Sequence, residues 1–183
     1  MRRSAVLFAA VLATFAAPAA ASVLVVGTGM AADCSKAAFA GRGDRDSILL
    51  CTRSLQEERL LKRDRAGTHV NRGVMLLRSK DYAAAREDFD RAIALEPALG
   101  EAFVNRGVAM MADQDYDAAL ADIDKGIALG VDEPAKAFYN RGLVHESLGD
   151  ARAAFLDYRK AQELAPDWPA PARQLTRFSV TRD

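Results

Sequence analysis

The tripeptide Asn-Arg-Gly occurs three times, at Asn71-Arg72-Gly73, Asn105-Arg106-Gly107 and Asn140-Arg141-Gly142, with spacings of 34 and 35 residues. A fixed period of this length means one structural unit copied and stacked, because a single unit cannot bury its apolar face alone. The surroundings recur as well. Ala85, Ala119 and Ala154 occupy one position, Phe89, Ile123 and Tyr158 another, and Ala92, Gly126 and Ala161 a third. Leu95, Leu129 and Leu164 follow, and Pro97, Pro134 and Pro166 close the copies. Within a copy, Val70, Val74 and Leu77 fall at helical spacing, as do Phe89, Ala92 and Ile93, so each copy reads as two helices. The composition agrees: half of the chain is hydrophobic but only 7% is aromatic, which favours alanine-rich helices over sheet.

These positions resemble the tetratricopeptide repeat family over about residues 66 to 168. The resemblance implies an all-α fold of antiparallel helix pairs, stacked as a short right-handed superhelix, with repeats at 66–99, 100–134 and 135–168. Glycine and alanine let the two helices of a pair approach, and Asp81, Asp115 and Asp150 stand where the second helix needs a cap. The family's usual tryptophan is replaced by His69, Phe103 and Phe138, and Gly126 stands where alanine is usual.

Residues 22–65 read as an N-terminal segment with a degenerate pair, because Ser47, Cys51, Ser54 and Leu55 repeat the spacing of Ala85, Phe89, Ala92 and Ile93. Its helices are expected at 31–41 and 44–58, joined by Gly41-Arg42-Gly43, and Leu60 to Arg65 is expected to be a charged connector. Residues 169–183 form a capping helix and tail, with Trp168, Leu175 and Phe178 covering the last exposed core face.

Residues 1–21 have the layout of a secretory signal peptide: Arg2-Arg3, an uncharged run from Ala5 to Ala17, and Ala19-Ala20-Ala21 before the expected cut. The alternative is an uncleaved anchor extended by Val23 to Met30, interrupted by Pro18, Gly27 and Gly29. Asp33 immediately before Cys34 speaks against a lipid attachment site. The expected location is the periplasm or the exterior, with membrane anchoring as the alternative. Cys34 and Cys51 lie on facing sides of the degenerate pair; an oxidising compartment favours a disulfide between them over two buried thiols.

No catalytic constellation, phosphate loop or metal-binding pattern occurs, so the chain is read as a non-enzyme without cofactor or metal. Val25-Val26-Gly27-Thr28-Gly29 lacks the third glycine of a dinucleotide loop. His69 and His145 fall at helix-packing positions, and Glu87-Asp88 and Asp113 to Asp117 read as solvated faces or caps. Lys and Arg total 25, as do Asp and Glu, a balance that argues against nucleic acid as partner.

Function is therefore expected in the concave groove that the resemblance assigns to the first helix of each pair. Val70, Asn71, Val74 and Leu77 line it in the first repeat, and Val104, Asn105, Val108 and Met111 in the second. Tyr139, Asn140, Leu143 and Glu146 line it in the third, with Lys136 near the rim. Asparagine is a poor helix former whose amide must be paired when buried. Three at one position predict either a ladder for a ligand's backbone or a bond from each to a neighbouring helix or its own arginine. The basic carboxylate clamp of chaperone co-factors in the family is matched only by Asn105 and Lys136; Val70, Val74 and Asn140 depart from it. The expected partner is a protein or peptide, an apolar or mixed extended segment. The alternative is a structural role through repeat ends or the convex face, with homo-oligomers formed. Membrane contact is expected only if the N-terminal segment is retained.

Overall fold

The structure is a computed structural model that describes residues 17–26 and 28–178; the basic start and most of the apolar run of the expected signal peptide, residues 1–16, lie outside the described residues. Nine helices and no strands occur among them. The chain forms two units: residues 20–132, and residues 133–178 together with 17–19.

The larger unit holds α1 (Met30–Phe39), α2 (Arg45–Glu57), α3 (Lys62–Arg78), α4 (Tyr82–Leu95), α5 (Gly100–Ala112) and α6 (Tyr116–Leu129). Each second helix starts at an aspartate that accepts from the backbone N–H three residues on: Asp44 from Ser47, Asp81 from Ala84 and Asp115 from Ala118. These bonds satisfy donors that the first turn leaves unpaired. Before α4 and α6 the residue preceding the cap takes a left-handed conformation to turn the chain. Lys80 (φ 64°) and Gln114 (φ 60°) do so despite their side chains.

α1 starts at Gly29, which has no side chain to cap with. Glu58 substitutes from the far end of α2, accepting from the Met30 and Ala31 N–H groups at 2.9 Å each and from Ser54 Oγ at 2.6 Å. The Ser54 bond chiefly holds the Glu58 carboxyl below its ordinary pKa, against the opposing effect of partial burial. The degenerate pair thus exists, and Cys34 and Cys51 are joined by a disulfide in a buried cluster with Ala38 and Met75. The expected connector Leu60 to Arg65 is mostly helical, because α3 already begins at Lys62. Its charged residues are good helix formers, and Arg65 Nη1 donates to the Leu55 carbonyl at 2.9 Å, tying the first turn of α3 to α2.

The smaller unit holds α7 (Pro134–Ser147), α8 (Ala151–Leu164) and α9 (Pro169–Leu175). Asp150 caps α8 by accepting from Ala153, and the left-handed turn residue before it is Gly149 (φ 82°). The expected cover is formed by two of its three residues through rings: Trp168 lies 4.9 Å from Tyr139, and Phe178 lies 5.8 Å from Phe155 and 5.9 Å from Tyr158. Leu175 closes α9 and is half-buried.

Candidate peptide-binding groove

Each residue of the repeated tripeptide has a separate task. Gly73 faces the Phe89 ring so closely that an added Cβ would lie 2.5 Å from it. At Gly107 the obstruction is the Ala119 carbonyl oxygen, 2.8 Å from such a Cβ, and at Gly142 it is the Tyr158 ring, at 2.7 Å. The glycine sets the distance between the two helices of a pair.

The arginine locks that pair. Arg72 donates to Asp88 through Nε and Nη2, both at 2.7 Å. Arg106 reaches Asp122 in the same way at 2.6 and 2.8 Å, and Arg141 reaches Asp157 at 2.8 and 2.7 Å. A planar guanidinium fork suits this two-point contact. Arg106 also lies over the Phe103 ring, and Arg141 over Phe138, at 5.5 and 5.2 Å. In the first repeat His69 holds that position and bonds Asp88 through Nδ1 at 2.9 Å instead.

Two sequence expectations change here. Asp88 is not on a solvated face: its side chain is 1% exposed. His69 packs, as expected, but it is also a partner of Asp88. Burial pushes the Asp88 carboxyl up; the bonds from Arg72 and His69 outweigh it and leave the group below its ordinary value. The signal for this lock was present in the sequence, since an aspartate follows each of the three arginines by 16 residues.

The asparagine takes up neither of its two expected internal partners, the neighbouring helix and its own arginine. Each side chain is fully buried and bonds the backbone of the chain's own N-terminal segment. In the larger unit the Val23 N–H donates to Asn71 Oδ1 at 2.9 Å, and Asn71 Nδ2 donates to the Val23 carbonyl at 2.7 Å. The Ala21 N–H donates to Asn105 Oδ1 at 3.1 Å, and Asn105 Nδ2 donates to the Ala21 carbonyl at 2.7 Å. Ser35 adds a further contact, accepting from the Val25 N–H and donating to the Val23 carbonyl, each at 3.1 Å. In the smaller unit Asn140 treats Ala19 in the same manner, at 2.9 and 2.8 Å. Primary amides therefore do what a neighbouring strand would do, pairing both polar groups of every second residue. Ser35 lies outside the three repeats, and nothing in their pattern pointed to it.

The other expected groove residues divide. Val70, Val74, Leu77 and Val108 belong to a buried cluster with Phe89, against which Ala20 and Val23 pack. Val104 is also buried; it faces Gly126, where an added Cβ would lie 2.6 Å from Val104 and 2.7 Å from the Gly100 carbonyl oxygen. That close approach accounts for glycine where the family usually has alanine. Met111 is half-buried. In the smaller unit Tyr139 and Leu143 are buried, Lys136 pairs with Glu133 at 2.6 Å, and Glu146 accepts from the Tyr158 hydroxyl at 2.8 Å.

Among the described residues no group of three or more His, Cys, Asp or Glu is placed to hold a metal, and no helix is long and apolar enough to cross a membrane.

Helix pairs that repeat the same aspartate cap, the same arginine–aspartate lock and a close contact at the same glycine define a helical-repeat solenoid. Two stretches match models of the tetratricopeptide repeat, residues 66–99 and 135–167, and the chain belongs to that family. None of the curated proteins matches it in sequence. Among solved structures, it is similar to the second TPR domain of human RPAP3, in complex with the HSP70 peptide SGPTIEEVD. That match has 28% identity and a TM-score of 0.53 over 60% of this chain and 90% of the other. The Arabidopsis OM64 TPR domain matches at 22% identity and a TM-score of 0.59, covering 64% and 96%. MamA from Desulfovibrio magneticus matches at 19% identity and a TM-score of 0.61, covering 80% and 79%. The last two likenesses concern the fold.

Proposed function

We propose that this chain is a non-enzymatic protein-interaction module that binds an extended polypeptide through its backbone, using the asparagines of its first helices, after export from the cytoplasm. The observation that carries this reading is the two-point pairing of Asn71 and Asn105 with alternate residues of an extended segment. A fully buried asparagine in mid-helix is costly unless its amide is satisfied, and here an extended backbone satisfies it. The peptide complex of the related human RPAP3 domain supports a peptide as the class of partner. A basic carboxylate clamp gains no support, since Val70 and Val74 are core residues and Lys136 pairs with Glu133. Export is supported by the layout of residues 1–21 and by a disulfide that needs an oxidising compartment.

The test is a photo-crosslinker placed at Leu24, beside the paired backbone, in cells that express the chain. Crosslinks to another protein that disappear with Asn105→Ala, while the circular dichroism of the variant stays helical, are the expected result. Crosslinks indifferent to Asn105, or only between copies of this chain, would replace the groove reading with self-assembly. N-terminal sequencing of the exported chain should begin at Ser22.

A further inference from the structure

The asparagines are already occupied. Ala21, Ser22 and Val25 are buried, while Leu24 and Val26 of the same segment are exposed, so the segment is seated with a definite register. The Val23 and Val25 side chains lie over Gly67: a Cβ added there would be 3.0 and 3.1 Å from them. We infer that residues 21–25 are a built-in occupant that keeps the backbone-binding asparagines closed to other polypeptides until its N-terminal part is released. This deepens the proposed reading of the groove and rests on it.

The argument is one of competition. A segment joined to the same chain acts at an effective concentration in the millimolar range, so a separate peptide making the same bonds is outcompeted. The expected cut after Ala21 falls inside the seated segment. It would remove the residue that Asn105 holds, while Val23 and Val25 stay on Asn71 and Ser35. Release would thus open the Asn105 position and leave the Asn71 end plugged. Because Ala21 is buried against Asn105, the polypeptide admitted there is one with a small residue at the paired position, an alanine- or serine-rich extended segment. The Ala21–Ser22 bond is itself buried in the folded chain, so a peptidase must reach it before the groove closes over it.

The experiment uses the full chain, made by cell-free translation under oxidising conditions, and a fluorescent peptide of the sequence Ala-Pro-Ala-Ala-Ala-Ser-Val, residues 17–23 of the chain. Ala21→Pro with Val23→Pro removes the two N–H donors that the segment offers to Asn105 and Asn71, without touching the helices. This variant should bind the peptide about tenfold or more tighter than the unaltered chain, since the tethered competitor is gone. Adding Asn105→Ala, or N-methylating the peptide at its fourth alanine, the counterpart of Ala21, should abolish that gain. Hydrogen exchange gives a second readout that needs no added peptide: the Ala21 amide should be protected in the unaltered chain and lose protection in Asn105→Ala. Equal, Asn105-dependent binding by the unaltered chain and the proline variant would overturn the built-in occupant and leave the groove reading standing. Binding by neither would overturn both, and a freely exchanging Ala21 amide in the unaltered chain would overturn the occupant directly.

Discussion

Replacing Asp88 with alanine should destabilise the protein far more than the same change at Asp122, although both hold the same place in their repeats. Asp88 is 1% exposed and accepts from Arg72 twice and from His69 once, with Arg91 a further 3.8 Å away. Removing it strands a guanidinium and an imidazole against buried surface, and breaking such a pair from one side costs about 3–5 kcal/mol. Arg72 keeps one bond, to Thr52 Oγ1 at 3.0 Å, so the lower end of that range is expected. Asp122 is 13% exposed, and its Arg106 retains Asp90 at 2.7 Å and the Phe103 ring. Loss of Asp122 should therefore cost about 1–2 kcal/mol, in line with a hydrogen-bonded charge that keeps a second partner. Both residues lie in the unit of residues 20–132, so one urea titration followed by circular dichroism compares them. At an m-value of about 2 kcal/mol/M, the Asp88 variant should have its midpoint about 1.5 M lower and the Asp122 variant less than about 1 M lower. Equal shifts would refute the argument that burial and the strength of the arginine's remaining partner, Thr52 for Arg72 and Asp90 for Arg106, decide the cost.

Other outcomes follow from the same geometry. Asp88 titrates below its ordinary value when folded, so the folded state binds fewer protons than the unfolded one between those two values. Stability from this group should be complete above the ordinary carboxylate range and fall as pH drops through the folded value; Asp88→Asn should flatten that part of an acid-denaturation curve. Gly107→Ala should cost more than Gly73→Ala, because it drives a Cβ into a carbonyl oxygen rather than a ring edge; overpacking of about 1–3 kcal/mol is expected, read as the difference between two urea midpoints. Gln114→Gly should stabilise by about 0.5–1 kcal/mol, the relief of a left-handed side chain less the added entropy of glycine, measured in the same titration. Cys34 and Cys51 should resist alkylation until reductant is added, and replacing both with alanine should cost about 2–5 kcal/mol by thermal melting.

The helix pairs were legible in the sequence because their determinants are local or strictly periodic. Asp81, Asp115 and Asp150 cap within three residues of themselves, and the glycines recur at the contact they make possible. Asp88 was misread because its neighbour Glu87 makes it look like part of a surface cluster; its partner lies 16 residues back on another helix. The asparagines announced themselves as unusual, but not what they hold. Residues 19, 21, 23 and 25 are hydrogen-bonded through main-chain groups, which do not depend on side-chain identity, so the bonds leave no signature in the sequence. Small and apolar, they read only as the end of an export segment.

The two-point amide contact also fixes what a bound chain can and cannot reveal to the groove. In an extended backbone the polar groups of successive residues point to opposite sides. A slip by one residue would turn every paired N–H and C=O away from Asn71 and Asn105, whereas a slip by two would restore all of them. The asparagines thus enforce phase but not spelling, and a run such as Ala19-Ala20-Ala21 offers them nothing to choose between registers two residues apart. That choice falls to Gly67, whose missing side chain is the notch into which Val23 and Val25 drop. Filling the notch should leave the chain gripped and let it ratchet, two residues at a time.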